Sequence, residues 1–387
     1  MDISSISFYE FFYIAFLIAA CVKIIQVYSS KKSVKIFLCL LVYHLVITVI
    51  YYLNLMNNGN GDPFVYYKFA QRADDWLSTF GYKRRFLIFI NYPFIHYLKS
   101  SILTVSFFYS LLGFLGIFFA TRNLLNQIGF KFGLVLLLFL PSLHFWSSSL
   151  SKESLLIFAL GILINEFYRE KPNVIVVAIC LFIAMMTRTY MGAVFGASVG
   201  LSILVFNRSL TFRKKLPVLL VAGLFTCLSV AFFAKVLKLD TNSERVIEEI
   251  EKRQKNWTRA DSTYDISNYN KLERASNFLF RPLFYDIGKS RNRLIASFEN
   301  LVLLILTIHL IFMAITRENR RFASGLIQFN AAYFFFTLFV LSTVTANLGT
   351  AMRKKSTILP SFIILYGVFV YRGKDNQDLK RRFFKKS

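Results

Sequence analysis

The sequence predicts an all-α fold, a polytopic transmembrane helical bundle of about 11 spans, and three observations support this class. Of the 387 residues, 56% are hydrophobic and 17% aromatic, and the mean hydropathy of +0.51 lies above the range of soluble domains. About 11 apolar runs approach the length that crosses a bilayer. Every second connection between them is basic, as in the cytoplasmic loops of membrane proteins. We therefore expect residues 1–387 to form a single integral membrane domain.

The predicted spans follow one another along the chain and are interrupted by two long loops. They lie near residues 6–28, 34–56, 102–120, 132–146, 154–168, 173–187, 190–206, 216–236, 297–315, 323–345 and 356–371. Four consecutive spans contain only roughly 14 to 18 residues, too few to cross the whole bilayer at a rise of about 1.5 Å per residue. Their outer turns, 147–153 and 188–189, should therefore lie below the membrane surface and form the floor of an outward-opening cavity.

Charge predicts the orientation of these spans. The chain has 46 Lys and Arg against 21 Asp and Glu, a net charge of +25. The short basic connections and the basic tail, residues 372–387, fall on one side if all spans form, which places the C-terminus in the cytoplasm and the N-terminus outside. Because topology accounts for these cations, and no basic stretch is long enough to form a folded binding module, we expect no nucleic-acid partner.

The two long outer loops, 57–101 and 237–296, hold most of the polar residues that topology does not explain. In the first loop, Asp62 and Pro63 form a helix-start signal and Gly81 a stop signal. Apolar residues repeat at helical spacing between them, which predicts an amphipathic helix on the outer membrane interface.

The acidic residues of the first outer loop each have two interpretations. Asp62 is either the N-cap of that helix or a carboxylate at the mouth of the cavity, placed to accept a proton from an attacking hydroxyl. Asp74 and Asp75 either lie on a solvated helix face or bind a divalent cation. The four cysteines sit in apolar runs and the histidines lack ligand spacing, so we expect no other metal and no cofactor.

The stretch PSLHFWSSSLSKESLLIF places Lys152 and Glu153 at one of the recessed outer turns. Ser151 can cap a helix whose first turn favours an acid, but a lysine beside a helix N-terminus is mildly unfavourable, so the pair suits a polar functional site. Arg188 lies between two apolar runs, where a charge at membrane depth costs about 3 kcal/mol unless it meets water, an acid or an anion. Both turns face outward between adjacent short spans, so we expect Glu153 to pair with Arg188.

Further basic groups lie near the same predicted cavity. The last outer loop, TANLGTAMRKKSTILP, carries Arg353, Lys354 and Lys355 on the side where the positive-inside rule does not place cations. Three cations at a short turn could bind a phosphate or pyrophosphate. Arg281, in a segment FLFRPLF that is expected to dip into the interface, and His144, one turn before the Lys-Glu step, are further candidate polar groups.

These motifs together resemble those of bacterial polysaccharide-biosynthesis membrane proteins. The shared features are GDPFVYYKFA in the first outer loop, the Lys-Glu-Ser step, Arg188 at the outer end of a central span, FLFRPLF and GTAMRKKSTILP. The likeness is to O-antigen-polymerase-like and exopolysaccharide-polymerase-like proteins, related in plan to the glycosyltransferase C superfamily, and it covers most of the chain. The acidic metal-binding motifs of some superfamily members are not clearly reproduced.

The resemblance implies an enzyme of the bacterial inner (cytoplasmic) membrane that transfers or polymerises glycan from a polyprenyl-phosphate or polyprenyl-pyrophosphate carrier on the extracytoplasmic face. In such an enzyme Asp62 matches the acid of the first loop, and Arg188 and Arg353 hold the lipid-linked phosphate. The expected partners are the lipid-linked glycan, membrane lipid and other polysaccharide-assembly proteins.

The expected chemistry assigns a role to each candidate residue. Asp62 or Glu153 is the general base, and the basic groups neutralise the charge that grows on the departing phosphate. The candidate substrate-binding residues are Lys152, Arg188, Arg353, Lys354, His144 and Arg281. Two alternatives are a transporter or flippase of lipid-linked glycans and a non-catalytic subunit of a polysaccharide export complex. No convincing repeat relates the two halves, as it often does in transporters, so the enzyme is favoured.

Overall fold

The computed structural model describes residues 8–169, 171–206, 211–237, 269–287, 291–316, 325–345 and 347–371. The regular elements of these residues are helical. They are α1 (Phe8–Tyr28), α2 (Val34–Asn58), α3 (Asp62–Gln71), α4 (Arg84–His96), α5 (Ile102–Ile128), α6 (Phe132–Leu138), α7 (Pro141–Ser147), α8 (Lys152–Glu166), α9 (Val174–Thr187), α10 (Thr189–Leu201), α11 (Phe212–Leu237), α12 (Lys271–Phe280), α13 (Arg291–Thr316), α14 (Gly325–Thr343), α15 (Leu348–Lys355) and α16 (Leu359–Tyr371). The basic tail 372–387 and residues 238–268 of the second outer loop lie outside the described residues.

Within the part of the chain that the structure describes, six helices are long and apolar enough, by length and composition, to cross a membrane. They are Phe8–Tyr28, Val34–Asn58, Ile102–Ile128, Phe212–Ala234, Arg293–Thr316 and Gly325–Thr343. Shorter apolar helices accompany them at Phe132–Ser147, Val174–Thr187, Thr189–Val205 and Leu359–Tyr371. The protein is thus a multi-pass, helical membrane protein, as the sequence predicted, while the count of 11 spans stays a prediction.

The apolar run at 132–146 is divided into two helices of seven residues each, α6 and α7. The break falls at Leu140, whose φ of −59° and ψ of 122° lie outside the helical region, just before Pro141. Proline has no N–H to give to the preceding turn and disfavours helical geometry in the residue before it. One continuous helix was therefore the wrong expectation for this run.

Helix α5 runs through the centre of the described bundle and packs against α1, α2, α8 and α16. Its contact with α8 is very close because glycines face each other. A Cβ atom on Gly161 would lie 1.9 Å from the carbonyl oxygen of Gly116, and one on Gly116 would lie 2.4 Å from that of Ile157. The two backbones therefore touch, and α8, which begins at Lys152, has a fixed position against the central helix.

The glycines of α10 form part of a second close contact, with α11. A Cβ on Gly192 would lie 2.2 Å from the hydroxyl oxygen of Ser229, and one on Gly196 would lie 2.3 Å from that of Thr226. Gly200, spaced four residues further on, faces open space. The absence of a side chain at Gly192 and Gly196 therefore lets α10 and α11 approach closely.

The sequence predicted one helix from Asp62 to Gly81, but the structure has a shorter helix there, α3, with α4 beginning only after Gly81. Helix α3 ends at Gln71 and is followed by a 3-10 turn, Leu77–Thr79, and by α4. In the break, the Asp75 carboxylate accepts a hydrogen bond from the N–H of Ser78 at 2.7 Å. Such local side-chain bonds compete with the helical hydrogen-bond pattern, which explains why the helix stops early.

Helices α3 and α4 pack against each other, and α3 also contacts α5 while α4 contacts α9. The N–H of Lys83 donates to the carbonyl of Met186, at the end of α9, over 2.7 Å. The Tyr109 hydroxyl of α5 donates to the Asn91 side chain of α4 over 2.9 Å. These bonds fix the loop helices above the turn that contains Arg188.

Candidate functional site

Four charged side chains from distant parts of the chain form one ion-pair network. Arg353 of α15 contacts Asp62 of α3 through Nη1 and Oδ2 at 2.5 Å, and it contacts Glu153 of α8 through Nη2 and Oε2 at 2.8 Å. Arg188 donates to the other carboxylate oxygen of Glu153. The predicted pairing of Glu153 with Arg188 is confirmed, and we refer to these four residues as the charged network.

Local backbone geometry explains why α8 begins beside this network. The Ser151 hydroxyl accepts a hydrogen bond from the N–H of Ser154 at 3.2 Å, so Ser151 is the N-cap that the sequence predicted. Glu153 then falls in the first turn, where the helix dipole favours an acid.

Arg188 occupies the junction between α9 and α10 and belongs to neither helix. Its φ of −147° and ψ of 107° are extended, which turns the chain between the two helices. Its guanidinium group also donates to the Tyr190 hydroxyl at 3.0 Å. The arginine therefore has an acid and a phenol as partners.

Asp62 does not act as a helix cap. Gly61 occupies the N-cap position of α3, and no side-chain cap bond forms there. Asp62 is the first helical residue, and its carboxylate turns to Arg353. The N-cap interpretation of Asp62 is therefore wrong, and the residue belongs to the charged network.

The side chains of the charged network differ in exposure, with the least exposed in its middle and the most exposed at its Asp62 end. The Glu153 side chain is 0% exposed, that of Arg188 is 12%, that of Arg353 is 24% and that of Asp62 is 47%. Both oxygens of Glu153 face an arginine, whereas Asp62 is open on one side. The network is thus closed at Glu153 and accessible at Asp62.

Aromatic rings lie beside the basic side chains at the open end. The Arg353 guanidinium lies over the Trp146 ring at 5.9 Å, and the Lys152 ammonium lies over the Tyr66 ring at 5.8 Å. Both distances fall within the range of cation–π attraction. Among the described residues, no ion pair or hydrogen bond to the Lys152 ammonium is found, so this cation is available to an incoming anion.

Two buried lysines follow Arg353 in the short outer helix α15. The Lys354 ammonium donates to the Thr345 hydroxyl at 3.0 Å. Burial, together with repulsion from Arg188, lowers the pKa of Lys354 to about 7, and attraction to Glu153 offsets part of this shift. Lys355 donates to the side-chain oxygen of Asn300 at 2.6 Å and to the Arg281 carbonyl at 3.2 Å.

Two predicted site residues lie apart from the charged network. The Arg281 guanidinium binds the Asp286 carboxylate, with Nε and Oδ2 at 3.0 Å, and only its carbonyl reaches Lys355. His144 is fully buried among α2, α5 and α7, with its Nδ1 2.8 Å from Nδ1 of His44 and its Nε2 2.7 Å from the Leu138 carbonyl.

Sequence reasoning did not identify several polar and aromatic neighbours of these cations. One of them is Glu299 in α13, whose carboxylate accepts a hydrogen bond from the Ser142 N–H at 3.1 Å. An acid inside the apolar run 297–315 was a usable signal, because ionisable residues at membrane depth are expensive and commonly functional. The others are Tyr66, Trp146, Tyr190 and Asn300, which carry no distinguishing sequence pattern.

The predicted acidic pair of the first outer loop shows no metal-binding geometry. Asp74 and Asp75 are both exposed, and the Asp75 carboxylate is used by the 3-10 turn. In the described part of the chain, no group of three or more His, Cys, Asp or Glu residues could hold a metal ion. A divalent cation at this pair stays a prediction.

Comparison with known proteins gives no relative: no protein-family model, curated protein or solved structure matches the chain. The chemistry of the site therefore carries the functional argument. Four basic side chains, Lys152, Arg188, Arg353 and Lys354, lie around two carboxylates, so the region has a net positive charge. Guanidinium groups bind phosphate oxygens through paired hydrogen bonds, and a partly water-excluded setting strengthens such contacts.

Proposed function

We propose that the protein is a polysaccharide-biosynthesis membrane enzyme that transfers or polymerises glycan from a polyprenyl-pyrophosphate-linked donor on the extracytoplasmic face of the bacterial cytoplasmic membrane. The observation that carries the proposal is the charged network, in which a half-exposed carboxylate and two arginines meet at the outer turns of short helices. The proposal includes the orientation inferred from charge, with the N-terminus outside and the C-terminus in the cytoplasm.

In the proposed reaction, the pyrophosphate of the donor replaces Asp62 as the partner of Arg353. Lys152 and Lys354 supply further positive charge beside it. As the bond between the anomeric carbon and the pyrophosphate oxygen breaks, the electron pair leaves with the pyrophosphate, where these fixed cations stabilise it. Positive groups that are already in position need no reorganisation at that moment, which is the main source of rate enhancement in such transfers.

Asp62 is the preferred general base. The acceptor hydroxyl forms the new bond to the anomeric carbon and gives its proton to this carboxylate, which is accessible once Arg353 has turned to the phosphate. Glu153 is a weaker candidate, because both of its oxygens face arginines and its side chain is fully buried. Its role in the proposal is to orient Arg188 and Arg353.

The test uses purified protein and a polyprenyl-pyrophosphate oligosaccharide, with release of polyprenyl pyrophosphate and growth of the glycan as the readouts. The Asp62→Asn variant should lower the turnover by about a hundredfold or more, the usual contribution of a general base. It should still bind inorganic pyrophosphate, since the cations remain. Asp74→Asn, which changes an exposed acid of the same loop, is the matched control.

Two outcomes contradict the proposal. If the Asp62→Asn variant transfers glycan at the wild-type rate, Asp62 is not the general base. If the wild type moves intact donor across the membrane and releases no polyprenyl pyrophosphate, the charged network serves transport.

A further inference from the structure

A second cluster of polar and basic side chains lies at the end of the described bundle opposite to the charged network. Helix α8 begins beside the network, and a rise of about 1.5 Å per residue places about 20 Å between Glu153 in its first turn and Glu166 at its end. At that far end, Asn165 of α8 contacts Arg122 of α5, and Asn126 of α5 contacts the loop between α1 and α2. These contacts have no part in the proposed active site.

The Arg122 guanidinium is held in one orientation. Its Nε and Nη2 both donate to the side-chain oxygen of Asn165, at 3.2 Å and 2.9 Å. It lies over the Tyr28 ring at 4.7 Å and over the Phe119 ring at 5.3 Å, both within the range of cation–π attraction. The third nitrogen, Nη1, makes no hydrogen bond to a described residue. Arg122 therefore presents a fixed donor that is still available.

Arg122 also has no ion-pair partner among the described residues. Glu166, which follows Asn165, is used elsewhere: it pairs with Arg169 at 3.2 Å and accepts the N–H of Asn173 at 2.9 Å. Arg169 is near enough to Arg122 to repel it. The positive-inside rule accounts for cations in loops, but Arg122 is half-buried within α5. Because a partly buried charge without a counter-ion is costly, an anion from outside the chain would stabilise it.

The loop between α1 and α2, residues 29–33, adds positive charge at the same end of the bundle. Asn126 fixes this loop to α5, because its side-chain oxygen accepts the N–H of Ser30 at 2.9 Å. The loop carries Lys31 and Lys32, both exposed. Helices α1 and α2 are both long enough to span, so the loop that joins them lies at the membrane surface. The phosphate groups of bilayer lipids lie at that height.

The surface beside Arg122 faces the region that lipid occupies. Tyr28, which stacks on the guanidinium, is 50% exposed, and Val27 before it is 60% exposed. On a membrane-spanning helix such exposure is exposure to lipid, and tyrosine is common at the level of the head groups. An anion that reaches Arg122 from this side arrives as the head group of a lipid.

We infer that Arg122 binds the phosphate of an anionic phospholipid at the end of the spanning helices opposite to the charged network. Its free Nη1 donates to a phosphate oxygen, and Lys31, Lys32 and Arg169 add attraction for the negative head group. The acyl chains lie against the exposed surface of α1. The inference is independent of the proposed function, since it uses none of the residues of the proposed active site.

Native mass spectrometry of the purified full chain tests the inference. The protein is released from detergent that contains equal amounts of phosphatidylglycerol and phosphatidylcholine with identical acyl chains, and the readout is the fraction of protein that retains each lipid. The wild type should retain phosphatidylglycerol in preference to phosphatidylcholine. Arg122→Gln should weaken phosphatidylglycerol binding by about tenfold, the usual effect of losing one charge-assisted hydrogen bond. Arg213→Gln, which removes an exposed arginine from the first turn of α11, is the matched control and should bind like the wild type.

A second measurement separates lipid binding from a folding defect. Phosphatidylglycerol should raise the apparent melting temperature of the wild type and of Arg213→Gln above the value in phosphatidylcholine, because a ligand that binds the folded state stabilises it. In Arg122→Gln this difference between the two lipids should disappear. A folding defect alone would lower the melting temperature of Arg122→Gln in both lipids and leave the difference unchanged, which would overturn the inference.

The source of the phosphate is tested by competition. Excess glycerol phosphate or inorganic phosphate should not displace phosphatidylglycerol from the wild type, because neither has acyl chains to hold it at the membrane. Complete displacement by either would assign the site to a soluble phosphate and overturn the lipid. Equal retention of phosphatidylglycerol and phosphatidylcholine by the wild type, or equal phosphatidylglycerol binding by Arg122→Gln and Arg213→Gln, would also overturn it.

Discussion

Replacement of Glu153 by Gln tests whether the charged network also holds the outer turns together. The change removes one negative charge at nearly constant volume. Glu153 is fully buried and contacts two arginines, so both lose their shared counter-ion. Loss of one partner from a buried ion pair costs about 3–5 kcal/mol, because it leaves an uncompensated charge behind.

The structure places the expected loss near the lower end of that range. Arg353 keeps Asp62 as a partner and is 24% exposed, so solvent stabilises part of its charge. Arg188 is 12% exposed and, among the described residues, keeps only the Tyr190 hydroxyl as a partner, so it carries most of the cost. We expect a destabilisation of about 3 kcal/mol for Glu153→Gln.

The assay is the apparent melting temperature of the purified protein in detergent at one fixed scan rate, since membrane proteins of this size commonly unfold irreversibly. For a chain of 387 residues, a loss of about 3 kcal/mol corresponds to a decrease of roughly 4 °C. Asp74→Asn, at an exposed position, should melt like the wild type. The double variant Glu153→Gln with Arg188→Met should recover part of the lost stability, because it also removes the cation that has no counter-ion in the single variant. Glu153→Gln that melts with the wild type would refute the reasoning.

Two further predictions concern Lys354, which we propose binds phosphate, and the close contact between α5 and α8. The pKa of Lys354 is lowered to about 7 by burial and by repulsion from Arg188, so its ammonium loses the proton as the pH rises through that value, and inorganic pyrophosphate binding should weaken above about pH 7. Equilibrium binding of pyrophosphate as a function of pH measures this effect. Lys354→Arg should flatten the pH profile, because a guanidinium group stays charged. An unchanged profile in that variant would show that Lys354 is not the titrating group. Gly161→Ala should lower the apparent melting temperature by an amount equivalent to about 1–3 kcal/mol or more, since the new methyl group would lie 1.9 Å from a backbone oxygen of α5. Gly200→Ala, which faces open space, is the control, and equal stability of the two variants would show that the α5–α8 contact is looser than described.

Those parts of the fold and site that depend on local sequence were predictable. The long apolar runs predicted a helical membrane protein, because the thickness of the bilayer sets a minimum length for each helix that crosses it. The pairing of Glu153 with Arg188 followed from two charges on neighbouring short turns that needed a partner at membrane depth. The Ser151 cap followed from its position before a helical run.

Contacts between distant segments were not predictable in the same way. Asp62 and Arg353 are 291 positions apart, and no local pattern connects them, so Asp62 could be assigned to a cap as readily as to an ion pair. The end of α3 depends on a hydrogen bond to the Asp75 side chain that competes with the helical pattern. The spacing of apolar residues gives no sign of such a bond. Trp146 and Tyr66 lie beside Arg353 and Lys152 only because the fold brings four separate helices together.

The close contact between α5 and α8 makes the proposed active site mechanically asymmetric. Backbone lies against backbone at Gly116 and Gly161, so α8 cannot slide or tilt without breaking apart the centre of the bundle, and Glu153 at its start is a stationary reference point. Asp62, at the other end of the network, is carried by a ten-residue helix in an outer loop and is attached to the rest of the network through Arg353. Any widening of the proposed active site must therefore come from the side of α3, while α8 provides the fixed surface against which the proposed substrate is positioned.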